Sequence, residues 1–108
     1  MKKAMLSLPI VGKTYEENVA TREKANKVLE EKGFEIVANT FFTNEWYSEE
    51  KMTERGIVQI PLFFLVKSLE TMSRCYAVYF GKGWENDRIC KIEHEVAKAY
   101  ALEIIYEE

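Results

Sequence analysis

"CYAVYFGKGWENDRICKIEHEVAKAYALEIIY", residues 75–106, decides the fold. The opening six residues, with three aromatic side chains and a valine, read as a strand. A glycine-bearing exit loop (81–86) follows, then a helix over 87–101 and a second strand over 102–106. Two strands separated by a helix cannot pair as a hairpin; they lie parallel, joined by a right-handed crossover. Within the helix, Ile89, Ile92, Val96, Ala97 and Tyr100 recur at three-and-four spacing, which predicts a core-facing stripe. Glu93 falls inside that stripe, where a leucine would cost nothing. His94, Glu95 and Lys98 fall outside it and are expected to face solvent.

Upstream, the same alternation continues. "AMLSLPI" (4–10) has the length and turn-rich flanks of a buried first strand, although two lysines before an apolar run also imitate a signal peptide. The run is short, contains Pro9 and lacks a cleavage motif, so the strand reading is adopted. Thr14 and Glu17 form a T-x-x-E capping pattern, opening a helix from Tyr15 to about Lys32, and Gly33 is placed to stop it. "FEIVA" (34–38) reads as strand two, and "NTFFTNEWYS" (39–48) as a polar-aromatic loop. Ser48 is positioned to cap a helix through "EEKMTERGIVQI", and Pro61 to start another through Met72, giving a broken helical pair. The order β-α-β-α-α-β-α-β predicts a three-layer α/β/α sandwich with a mainly parallel sheet of about four strands, in one domain over 1–108.

The composition narrows the function classes. Of 108 residues, 47% are hydrophobic and 31% charged, which fits a globular domain, and the net charge of −3 gives no pull toward duplex nucleic acid or anionic lipid. "IPLFFLV" (60–66) is too short to cross a bilayer, for which ~18 apolar residues are needed, so no membrane partner is expected. Cys75 and Cys90 lack metal-ligand spacing and read as reduced thiols of a cytoplasmic protein. A single histidine, His94, leaves "HEVAK" without the second ligand of a zinc-protease helix, and no metal is expected.

"LSLPIVG" (6–12), "SRCYAVYF" (73–80) and "GWENDRICKIEHEVAKAYALEIIYE" (83–107) resemble the small bacterial and phage domains related to the nucleoside 2-deoxyribosyltransferases. Gly83 and Trp84, followed by a helix bearing Glu93 and Ala97, carry the most specific part of the likeness. The resemblance implies a flavodoxin-like or Rossmann-like fold and no cofactor. It implies an enzyme acting on the N-glycosidic bond of a 2′-deoxynucleoside or its monophosphate, with Glu93 as nucleophile and Asp87, six positions earlier, assisting the base or orienting the sugar. Covalent capture by a carboxylate divides a difficult substitution into two easier ones, ending in transfer to another base or in hydrolysis. Ser7, Leu8 and Pro9 after strand one and Gly83 and Trp84 after strand three are the expected substrate-binding residues. Trp46 and Tyr47 are further candidates for stacking on a base.

Three features depart from the transferase pattern: Ile89 stands where a glycine is expected, Tyr76 where relatives carry an aspartate, and Ser7 is all that "LSLPIVG" supplies where an aromatic hydroxyl often orients the nucleophile. They keep two other readings open, a nucleotide-like metabolite-binding domain without chemistry and a phage-accessory oligomeric domain. A rim glutamate in an ion pair is the plain alternative for Glu93. "GIVQIPLFFLVKSLETM" (56–72) is apolar on more sides than a small domain can bury, which predicts a homo-oligomer, a dimer or higher.

Overall fold

Every side chain of Ala77–Phe80 is buried, as required of a strand covered by helices on both faces. The computed structural model describes residues 1–9, 12–37 and 49–108. The chain runs β1 (Lys3–Ser7), α1 (Tyr15–Glu31), β2 (Glu35–Ile36), α2 (Glu49–Glu54), α3 (Ile60–Met72), β3 (Ala77–Phe80), a 3-10 turn (Trp84–Asn86), α4 (Arg88–Ala99) and β4 (Glu103–Tyr106). The loop read over 39–48, with Trp46, Tyr47 and the Ser48 cap, lies outside the described residues.

Among the described residues four strands form one all-parallel sheet in the order β2-β1-β3-β4. Its register pairs Ser7 with Phe80 and Phe80 with Tyr106, so three strands end level. After β2 the chain passes back over β1 to reach β3. The direction of winding therefore reverses between β1 and β3, and ligands of open parallel sheets enter beyond the strand ends at such a point.

Strand alternation sends side chains to two cores. Ala4, Ala77, Tyr79 and Ile105 pack with Ala25 and Leu29 of α1 on one face. Met5, Val78 and Phe80 pack with Met72 of α3 and Ala97 of α4 on the other. The sandwich is thus three layers, as the order of elements predicts. No helix among the described residues is long and apolar enough to cross a membrane.

The local signals explain the boundaries. Glu17 N–H donates to Thr14 Oγ1 at 3.1 Å, and α1 ends at Gly33 with φ of 84°. Helix α2 stops sooner than the sequence suggests because Gly56 turns left-handed and Ile57 N–H closes onto Met52 O. Strand β1 ends at Ser7, short of the expected residue 10. The last rung there is Gly81 N–H to Ser7 O at 3.0 Å, and two residues on Pro9 has no N–H to extend the ladder.

Helix α4 departs from its expected orientation. Its buried residues are Cys90, Glu93, His94 and Ala97, while Ile92 and Tyr100 are exposed. The inward arc is rotated toward the Cys90–His94 side, because Phe80, Trp84 and Tyr106 draw the His94 ring inward. His94 is therefore not the solvent-facing residue that the stripe implies.

Candidate functional site

Ser7 ends β1 on the same face as Met5, directed toward α4. Asp87 is the N-cap of α4, and its Oδ1 accepts from Cys90 N–H at 3.0 Å, which satisfies one of the free donors of the first turn. Six residues later Glu93 projects from the second turn into the same space. The Ser7 hydroxyl donates to Glu93 Oε1 at 3.0 Å. Both residues are buried, Glu93 to 4% exposure. The bond ties the two elements that flank the winding reversal.

No cation among the described residues pairs with Glu93. A rim glutamate in an ion pair does not describe it. Burial pushes its carboxyl up from 4.5 to about 7; the Ser7 hydrogen bond opposes that rise and the Asp87 charge adds to it. The position near a helix N-terminus favours an anion by at most about 1–2 kcal/mol, and desolvation outweighs it. At neutral pH the group is populated both as a carboxylate and as an acid, so it can act as a nucleophile or deliver a proton. The Cys90 thiol beside it is pushed up to about 12, mainly by burial, and is not a competing nucleophile.

The other expected residues fall into two groups. Leu8 and Pro9 cross over the loop that leaves β3: a Cβ built on Gly81 would lie 2.9 Å from Leu8 Cδ2 and 3.3 Å from Pro9 Cδ, and one on Gly83 would lie 3.6 Å from Pro9 Cγ. Only glycine admits so close an approach at 81. Leu8 packs against the Ala4–Ala25–Leu29 core, on the face of the sheet opposite Ser7 and Glu93, and Gly83 lines the same hollow as Trp84. Trp84 turns elsewhere. Its indole stacks on His94 with centroids 3.9 Å apart, and it lines a hollow of about 260 Å3 with Lys82, Tyr106 and Glu107 that includes neither Ser7 nor Glu93.

His94 and Tyr106 were missed as partners. His94 Nε2 lies 2.7 Å from the Tyr106 hydroxyl, with Phe80 edge-on at 5.0 Å. The available signal was Cys90 and Ala97 at i−3 and i+4 of Glu93, small residues marking the true inward side. Tyr76 sits at the amino end of β3, exposed beneath the Lys2 ammonium, at the opposite edge of the sheet from Glu93. Ile89 is half-buried in the first turn of α4. No group of three or more His, Cys, Asp or Glu side chains that could hold a metal occurs among the described residues.

No protein-family model matches the chain, and no curated protein and no solved structure matches it significantly.

Proposed function

We propose that the chain is an enzyme that cleaves or exchanges the N-glycosidic bond of a 2′-deoxynucleoside or its monophosphate, with Glu93 as the nucleophile. The observation that carries this reading is a glutamate buried at the winding reversal and held, among the described residues, by the Ser7 hydroxyl and by no cation. A buried, unpaired carboxylate destabilises a fold and is retained where chemistry uses it. Ser7 occupies Oε1, which leaves Oε2 to attack C1′. As the new C–O bond forms, the C1′–N bond breaks, its electron pair passes to the base nitrogen, and that nitrogen takes a proton from water. The glycosyl ester then yields to a second base, giving transfer, or to water, giving hydrolysis with release of a proton. Asp87 keeps one carboxylate oxygen, Oδ2, for a sugar hydroxyl while Oδ1 caps the helix.

The placement of Trp84 favours a second reading, a domain that binds a nucleotide-like metabolite without turnover, because its indole is committed to His94 and to a separate hollow. Under either reading the protein is a homo-oligomer working in a reducing, cytoplasmic setting, as its two free buried thiols suit. Incubation with purine and pyrimidine deoxynucleosides, their monophosphates and a free acceptor base, followed by chromatography, tests the choice. Base release or exchange is expected, falling on the order of 10³-fold or more in Glu93→Gln and unchanged in Glu95→Ala. Saturable binding by thermal shift without turnover supports the second reading.

A further inference from the structure

His94 is buried to 9% exposure, and no step of the proposed reaction uses it. Side chains two positions apart on a helix of about 3.6 residues per turn point about 200° away from each other, so α4 cannot bury both Ile92 and His94. Hydropathy alone favours Ile92 for the inner place. The structure instead leaves Ile92 37% exposed and takes His94 in, while Val96 and Tyr100 of the same apolar row border a groove with Leu69 of α3. Contacts made by the imidazole outweigh that row.

Three elements hold the ring. The Trp84 indole of the 3-10 turn stacks on it with centroids 3.9 Å apart and planes at 21°, Phe80 of β3 meets it edge-on at 5.0 Å, and Tyr106 of β4 lies at 5.8 Å. His94 Nε2 and the Tyr106 hydroxyl share a hydrogen bond of 2.7 Å. The ends of the two strands are themselves tied, since Glu107 N–H donates to Phe80 O at 2.9 Å. Cys90 and Ala97, the buried apolar side chains of α4, are small and lack the flat faces that fix an angle.

We propose that His94 is a positioning residue for Glu93: by locking the roll of α4 about its axis, it aims the neighbouring carboxyl at Ser7. The inference rests on the reading of Glu93 as the working group and adds what orients it. Glu93 and His94 are consecutive on one helix, so the angle that seats the ring also sets the direction of the carboxyl. At a side chain's reach of roughly 6 Å from the helix axis, a roll of about 30° moves a carboxylate by about 3 Å. That displacement is as long as the 3.0 Å bond to Ser7 that it would break.

The groups facing Glu93 are Ser7 of β1 and, on α4 itself, Asp87 and Cys90. Burial is the largest cause of its raised pKa, so a carboxyl rolled out of place meets water and titrates lower. Carbon-13 NMR titration of the labelled Glu93 carboxyl in the full chain tests the proposal, with base release from deoxynucleosides as a second readout. His94→Ala is expected to bring the titration down from about 7 toward 4.5, and to slow base release on the order of 10²-fold, as misplacement of a reacting group does. His94→Phe, which keeps a ring in the stack, is expected to retain most of both. Val96→Ala, which thins the same helix away from the ring, should lower thermal stability and leave the titration in place. A His94→Ala protein that is merely less stable, with Glu93 still titrating near 7, overturns the proposal, as does an equal fall in His94→Phe or in Val96→Ala. Because the titration is read without substrate, a wild type that releases no base overturns the enzyme reading, while the fall in His94→Ala still upholds this one.

Discussion

Ser7 and Glu93, 86 residues apart in the chain, share a buried hydrogen bond of 3.0 Å that fastens the end of β1 to the second turn of α4. The bond holds a carboxyl whose proton is bound more tightly in the folded chain than in the unfolded one.

The first consequence is a pH dependence with a definite sign. A carboxyl raised from 4.5 to about 7 contributes its stability fully below 4.5 and loses it as pH rises toward 7 and beyond. The full difference is on the order of 3 kcal/mol. Glu93→Gln, which cannot ionise, should therefore gain on wild type by about that amount between pH 4.5 and pH 8. Urea unfolding of both proteins at the two pH values measures it; an equal difference at both would show that Glu93 titrates normally.

Its two neighbours should shift this titration in opposite directions. Ser7→Ala removes the donor that stabilises the anion and should raise the Glu93 pKa further. Asp87→Asn removes a repelling charge and should lower it while keeping a competent N-cap. Asp87→Ala should lower it too, at a cost of about 1 kcal/mol from the lost cap. Carbon-13 NMR titration of the labelled Glu93 carboxyl reads the shifts, and urea unfolding separates cap from charge.

The two thiols should be inert in the folded protein. Burial pushes Cys90 to about 12 and raises Cys75 as well. A disulfide reagent at pH 8 should label neither thiol rapidly under native conditions and both after denaturation. Rapid native labelling of Cys90 would mean that the site around Ser7 and Glu93 opens to solvent.

Helix α4 ends with Ala101 at φ of 58°, and Leu102 N–H reaches back to Ala97 O at 2.9 Å. That left-handed position suits glycine. Ala101→Gly should therefore stabilise the protein by about 0.5–1 kcal/mol, the relief of backbone strain exceeding the entropy cost of glycine. A thermal melt shifted upward by a few degrees is the expected sign.

The elements were legible because their signals are local: the Thr14 cap, the Gly33 stop and Pro61 in the first turn of α3 each act within one helical turn. The depth of Glu93 was not. Periodicity gives the direction of a side chain, and burial depends on partners such as Ser7, brought in by β1 from far along the chain. The rotation of α4 was hidden for the same reason, since the aromatic group that draws His94 inward is assembled from β3, the 3-10 turn and β4. The separation of Trp84 from Glu93 likewise follows from that packing, which sequence neighbourhood does not encode. Ile92 and Tyr100 looked like core because an apolar row facing a groove has the same spacing as one facing a sheet.

The central claim is that Glu93 forms a bond to the sugar. Mass spectrometry of protein acid-quenched during incubation with deoxynucleosides and their monophosphates, without acceptor base, tests it most directly. The account predicts a deoxyribosyl or deoxyribosyl-phosphate adduct on the peptide containing Glu93, absent in Glu93→Gln and discharged when a free base is added. Base release that continues in Glu93→Gln, or release by wild type through an adduct on any other residue, would contradict it.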